Sequence, residues 1–73
     1  MSIKEIWGAA SSIDRNRLLA AATKDGTPYA TAYSWCTGAR RPRPLYQERV
    51  CKCVRSVLGI SETVEELFPA KKG

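Results

Sequence analysis

The side chains best suited to chemistry in this chain are two tyrosines four residues apart, Tyr29 and Tyr33, interleaved with Ala30, Ser34 and Thr37. Three arginines follow them closely, Arg40, Arg41 and Arg43. On a helix turning about 100° per residue, those five residues share one face. Pro28, Ala32 and Trp35 gather on the other face, with Thr31 and Cys36 at its edges. An outward stripe of phenols, hydroxyls and one small residue is unusual. It can hydrogen-bond phosphates or base edges and pack on thymine methyls, and the major groove admits a helix. Arginines directly after such a helix suit the phosphates that flank the groove.

Other chemistries find little material. The chain has no His, which removes histidine-dependent triads, histidine-containing zinc fingers and c-type haem motifs. Cys51 and Cys53 invite a metal or redox reading, but helical residues two apart point about 160° away from each other, so these thiols cannot share one ion or close a disulfide. By the same phase Cys53 is expected in the core, Cys51 at its boundary and Cys36 on a different helix. No nucleophile–base spacing and no glycine loop for phosphates is present. Neither an enzyme nor a cofactor, metal site or small-molecule substrate is therefore expected.

The elements that must position the tyrosines are short. Seventy-three residues form one domain. Size scaling gives such a chain a core burying roughly 60% of its unfolded surface. Hydrophobic residues at 44% and charged residues at 26% fit an ordinary globule rather than a disordered segment. Nothing alternates at period two for long enough to make a strand, whereas helical spacing recurs. Ser2 to Glu5 is a capping box, followed by Ile3, Ile6, Trp7 and Ala10 as one buried stripe. Ser11, Ser12 and Asp14 supply cap signals for a second helix over Arg15 to Lys24, with Leu18, Leu19 and Ala22 inward, ended by Asp25-Gly26.

Thr27 is expected to cap a third helix with Pro28 at its first position, running to about Thr37 and stopping at Gly38. Ala39 to Pro44 reads as an extended loop. A fourth helix, Leu45 to Leu58, places Tyr46, Val50, Cys53, Val54 and Val57 in one sector and Glu48, Arg49, Lys52 and Arg55 opposite. Gly59 ends it, and Ser61 is expected to cap a last short helix before Pro69. Residues 1–69 thus form a single domain, with 70–73 expected to be a disordered basic tail.

In this order the residues resemble a known class. Ala22-Thr23-Lys24-Asp25-Gly26 has the Ala-x-x-x-Gly spacing of the first helix and turn in phage-repressor-like DNA-binding domains, the lambda repressor, Cro and XRE group. Trp35-Cys36-Thr37-Gly38-Ala39-Arg40-Arg41-Pro42 is similar to that family's W-x-x-G-x-R-x-P segment after its recognition helix. Leu58-Gly59-Ile60-Ser61, followed by Glu65-Glu66-Leu67-Phe68-Pro69, resembles its usual ending. The resemblance spans residues 17 to 69. It implies an all-α fold, a small bundle of about five short helices containing a helix-turn-helix, and sequence-specific or shape-reading binding of double-stranded DNA by a small transcriptional regulator of bacterial or mobile-element type. Tyr29, Tyr33, Ser34 and Thr37 would then face the groove, with Ala30 allowing close approach and Thr27 also among the DNA-binding residues. Arg17, Arg40, Arg41 and Arg43 would hold phosphates, Arg17 or Arg15 taking the place of a family glutamine that corresponds to Leu18. Domains of this class often bind palindromic sites as dimers, so a homodimer is a possible assembly.

The charge distribution is consistent with that picture. The chain carries 12 Lys and Arg against 7 Asp and Glu, a net +5. Residues 27 to 58 alone account for +5, while the segments before and after carry +1 and −1. With three Cys, an odd count, and no apolar run near the roughly 18 residues of a membrane span, the expected setting is the cytoplasm rather than a membrane or an oxidising compartment. A competing expectation is a protein-interaction module, antitoxin-like or an adaptor, that keeps the helical fold without DNA readout. It rests on the absence of Gln, Asn and Arg from the outward tyrosine face.

Overall fold

The computed structural model describes residues 1–69; the expected tail at 70–73 lies outside the described residues. Five helices follow one another: α1 (Ile3–Ala9), α2 (Ser12–Thr23), α3 (Tyr29–Cys36), α4 (Pro44–Leu58) and α5 (Val64–Leu67), and no strand forms among the described residues. α2 packs on both α3 and α4, α1 on α3 and α5, and α5 closes against α4. The core is drawn from all five, with Ile6, Leu18, Cys36, Val54 and Leu67 the largest fully enclosed side chains. No helix is long and apolar enough to cross a membrane.

Local chemistry sets most of the boundaries. The Ser2 hydroxyl accepts from the Glu5 amide at 3.3 Å while Glu5 Oε1 accepts from the Ser2 amide at 2.9 Å, so α1 starts on the expected capping box. In α2 it is Ser11 that caps, accepting from Asp14 N at 3.2 Å, so the helix begins three residues ahead of Arg15. Pro44 belongs to α4 as its first helical residue, where no amide is needed, rather than to the loop before it. Gly59, at φ +69°, ends α4 in the left-handed conformation.

Two expected caps are corrected. Thr27 does not cap α3. Its amide and hydroxyl both donate to Asp25 Oδ1, at 3.1 and 2.6 Å, in a side-chain turn that competes successfully for the hydroxyl. Pro28 takes the N-cap position with no side-chain bond. Ser61 does not cap α5 either, because Thr63 forms a second capping box with Glu66, a partner that Ser61 lacks three residues on.

The inward sector of α4 is also rotated from the expected one. Gln47, Val50, Cys51 and Val54 are buried, and Tyr46, Cys53 and Val57 are only half-buried. Flanking segments cause the shift by folding over that side. Gln47 Nε2 donates to the Pro42 carbonyl at 2.8 Å, and the Cys51 thiol donates to the Glu62 carbonyl at 3.1 Å. Cys51 is therefore the core residue and Cys53 the boundary one. The two thiols have different surroundings, as the helical phase requires. Burial pushes the Cys36 thiol up to about 12, and the nearby Cys53 adds to the rise.

The capping boxes carry a pH dependence. Hydrogen bonds first from the backbone amide and then from the hydroxyl of Ser2 hold the Glu5 carboxyl below its ordinary 4.5, and Thr63 does the same for Glu66. Because the folded-state values are lowered, the stabilisation is fully present above the ordinary value and is lost as pH falls through the lowered ones. Melting temperature should therefore fall between pH 5 and pH 3. A Glu5→Gln, Glu66→Gln double variant, which keeps the caps but removes the titration, should show a flatter profile in circular-dichroism melts.

Candidate nucleic-acid interface

α3 is short, and it is placed by its inner face. Ala32 and Cys36 are buried against α1 and α2, with Trp35 half-buried beside them. That leaves Tyr29 62% and Tyr33 46% exposed. Their rings stack at 6.2 Å between centroids with 26° between planes. Tyr33 also meets the edge of Trp7 on α1, at 5.6 Å and 82°. The Arg15 guanidinium lies 5.3 Å from the centre of the Trp7 ring and donates from Nε to the Trp7 carbonyl at 2.9 Å. One continuous row therefore runs Tyr29, Tyr33, Trp7, Arg15, drawn from three helices. Pairs of this kind contribute about 0.5–1.5 kcal/mol beyond their burial, so Tyr33 supports the α1–α3 junction as well as forming surface.

Ser34 and Thr37 stand half-buried at the border of this face. The Ser34 hydroxyl donates to the Thr31 carbonyl at 2.7 Å, and the Thr37 hydroxyl donates to the Tyr33 carbonyl at 2.9 Å. Both donors are thus used within the helix, and what each hydroxyl offers outward is its lone pairs. Ala30 is exposed and leaves space for close approach.

The arginines divide by environment. Arg40 is exposed and anchored through its backbone, its amide donating to the Ser34 carbonyl at 3.0 Å, which holds it beside the last turns of α3. Arg43 is exposed at the N-cap of α4. Neither guanidinium has an acidic partner among the described residues. Arg41 instead donates to the Pro69 carbonyl and ties the loop to the end of the described chain. Arg17 lies on α2, exposed, 3.9 Å from Asp14 one turn away. Thr27 is separated from the tyrosine face: it sits in the turn and lines a cleft against α4 together with Trp35, Tyr46 and Arg49.

Three further residues, of which the sequence offered only Arg15, border this face. Trp7 belongs to the apolar stripe of α1 by spacing, yet it is only partly buried against the core. Arg15 comes to the face only through Trp7. Lys4 is exposed on α1 and lies against Gly38, whose missing side chain allows the approach. All three are placed by packing between helices; Arg15 is expected near the phosphates only through the family resemblance, and no signal within α1 alone marks Trp7 or Lys4. The arrangement offers stacked aromatic surface, hydroxyl acceptors and separated cations, the chemistry of contacts to phosphates and base edges. No protein-family model, curated protein or solved structure matches this chain.

Proposed function

We propose that this chain binds double-stranded DNA as a small transcriptional regulator, with α2, the turn at 24–28 and α3 acting as a helix-turn-helix and α3 entering the major groove. The observation that carries the reading is the stacked, exposed Tyr29–Tyr33 pair on α3, followed directly by Arg40 and Arg43 with no acidic partner among the described residues. In this reading Tyr29 and Tyr33 contact base edges and thymine methyls. Ser34 and Thr37 accept hydrogen bonds from base amino groups, and Ala30 permits the approach. Arg40, Arg43, Arg17 and Arg15 contact phosphates, while Arg41 acts mainly by holding the loop.

A second reading has one specific observation in its favour. The outward face of α3 itself carries no Gln, Asn or Arg, and its two hydroxyl donors are held by the helix, as suits a module that docks a protein through its aromatic row. Duplex affinity measured against salt distinguishes the two. Counterion release gives about −0.9 per phosphate contact, so three to five contacts predict a log–log slope of roughly −3 to −5. No measurable binding at low salt would instead support the protein-docking reading. Selection from a random duplex pool then yields the preferred site, and its symmetry shows whether two copies bind together.

A further inference from the structure

The turn between α2 and α3 borders a surface that the duplex reading leaves unused. A cleft of about 320 Å³ opens between the end of α2, this turn and α4. Its wall is apolar: Ala22, Trp35, Tyr46 and Val50. The Trp35 and Tyr46 rings lie 5.0 Å apart at 31°, a tilted pair against which a flat ring can pack. An adjoining hollow of about 410 Å³ continues past the turn and shares Asp25, Trp35, Tyr46 and Arg49 with the cleft.

The rim is charged and unbalanced. Lys24, Arg49 and Lys52 stand on it against the single carboxylate of Asp25. Asp25 is fixed by three partners, the amide and hydroxyl of Thr27 and the Arg49 guanidinium. Arg49 also lies 6.0 Å from the centre of the Tyr46 ring, which keeps it over the mouth of the cleft. Only one of its five N–H donors is engaged by Asp25, and neither lysine has an acidic partner among the described residues. Apolar walls with a few convergent polar groups are the usual form of a small-molecule site, and the volume lies at the low end of the roughly 300–1,000 Å³ such sites span.

We propose that this cleft binds a small planar aromatic carboxylate. The ring packs against Trp35 and Tyr46, and the carboxylate is held at the rim by Arg49, Lys24 and Lys52. Size limits the ligand to one or two fused rings, and the excess of rim cations selects the anion over a neutral compound of the same shape.

The test uses 2-naphthoate as probe, titrated into the labelled full chain and followed by amide and indole NMR shifts. It involves no DNA, so its outcome is independent of the duplex reading. Saturable shifts should centre on Ala22, Val50 and the Trp35 indole N–H. A Lys24→Ala, Lys52→Ala double variant, which changes only exposed side chains and leaves the Asp25–Arg49 pair intact, should bind about tenfold more weakly while its remaining spectrum stays that of the parent. The neutral 2-naphthamide should be weaker by a similar factor. The proposal is overturned if no cleft resonance moves up to the solubility limit, if the amide binds as well as the acid, or if the shifts centre on Tyr29, Tyr33 and Trp7.

Discussion

Gly38→Ala is expected to cost about 2–4 kcal/mol, combining the penalty for a side chain at positive φ with overpacking. The residue sits at φ +82°, and a Cβ there would come within 2.9 Å of Lys4 Cβ and 3.3 Å of Lys4 Cα. The close neighbours are the base of a side chain and its backbone, so the conflict moves α1 away from the end of α3 rather than one flexible tip. For a domain this small each kcal/mol lowers the melting temperature by about 4–8 °C. Gly59 supplies the control. It is also left-handed, at φ +69°, but an added Cβ would meet nothing within 4 Å. Gly59→Ala should therefore cost only about 1 kcal/mol, the conformational penalty alone. Equal melting temperatures for the two variants would show that the α1 contact at Gly38 has no energetic weight.

Replacing Arg40 and Arg43 together by Ala should weaken duplex binding about a hundredfold near 0.1 M salt and flatten the salt slope by about 1.8, since each phosphate contact contributes about 0.9 to it. Both side chains are exposed and free of acidic partners among the described residues, so the fold should be kept. Arg41 is left in place because its bond to Pro69 makes its removal a structural change as well as a loss of charge. Binding and slope identical to the parent, in a variant with the parent's melting temperature, would remove these arginines from the interface. The proposed path of the DNA would go with them.

What could be read from the residues in advance was what depends on neighbours three or four positions away. The Ser2–Glu5 box, the left-handed Gly59 and the outward phase of Tyr29 and Tyr33 are of that kind, and the structure has them in place. The Thr63–Glu66 box was equally local, since Thr63 has a Glu three residues on and Ser61 does not. Thr27 was a contest between two local options, a helix cap and a bond back to Asp25, and propensity alone does not rank them. The phase of α4 was of another kind. Gln47 and Cys51 are buried because the Pro42 and Glu62 carbonyls are folded over them, and periodicity within a helix carries no information about its flanking chain. The same holds for the Trp7–Tyr33 contact and the Asp25–Arg49 pair, which join residues 26 and 24 positions apart. The expected tyrosine face was legible, but its extension through Trp7 to Arg15 and the existence of the cleft were not.

The placement of the two tryptophans divides the molecule optically. Trp7 stands in the aromatic row beside Tyr33, and Trp35 lines the cleft against Tyr46. A Trp7→Phe chain emits from the cleft alone, and a Trp35→Phe chain from the helix face alone. Emission can then follow occupancy of each surface separately in one cuvette. A response of one indole to a ligand held at the other would measure how firmly α3, which presents Tyr33 on one side and Trp35 on the other, transmits strain between them.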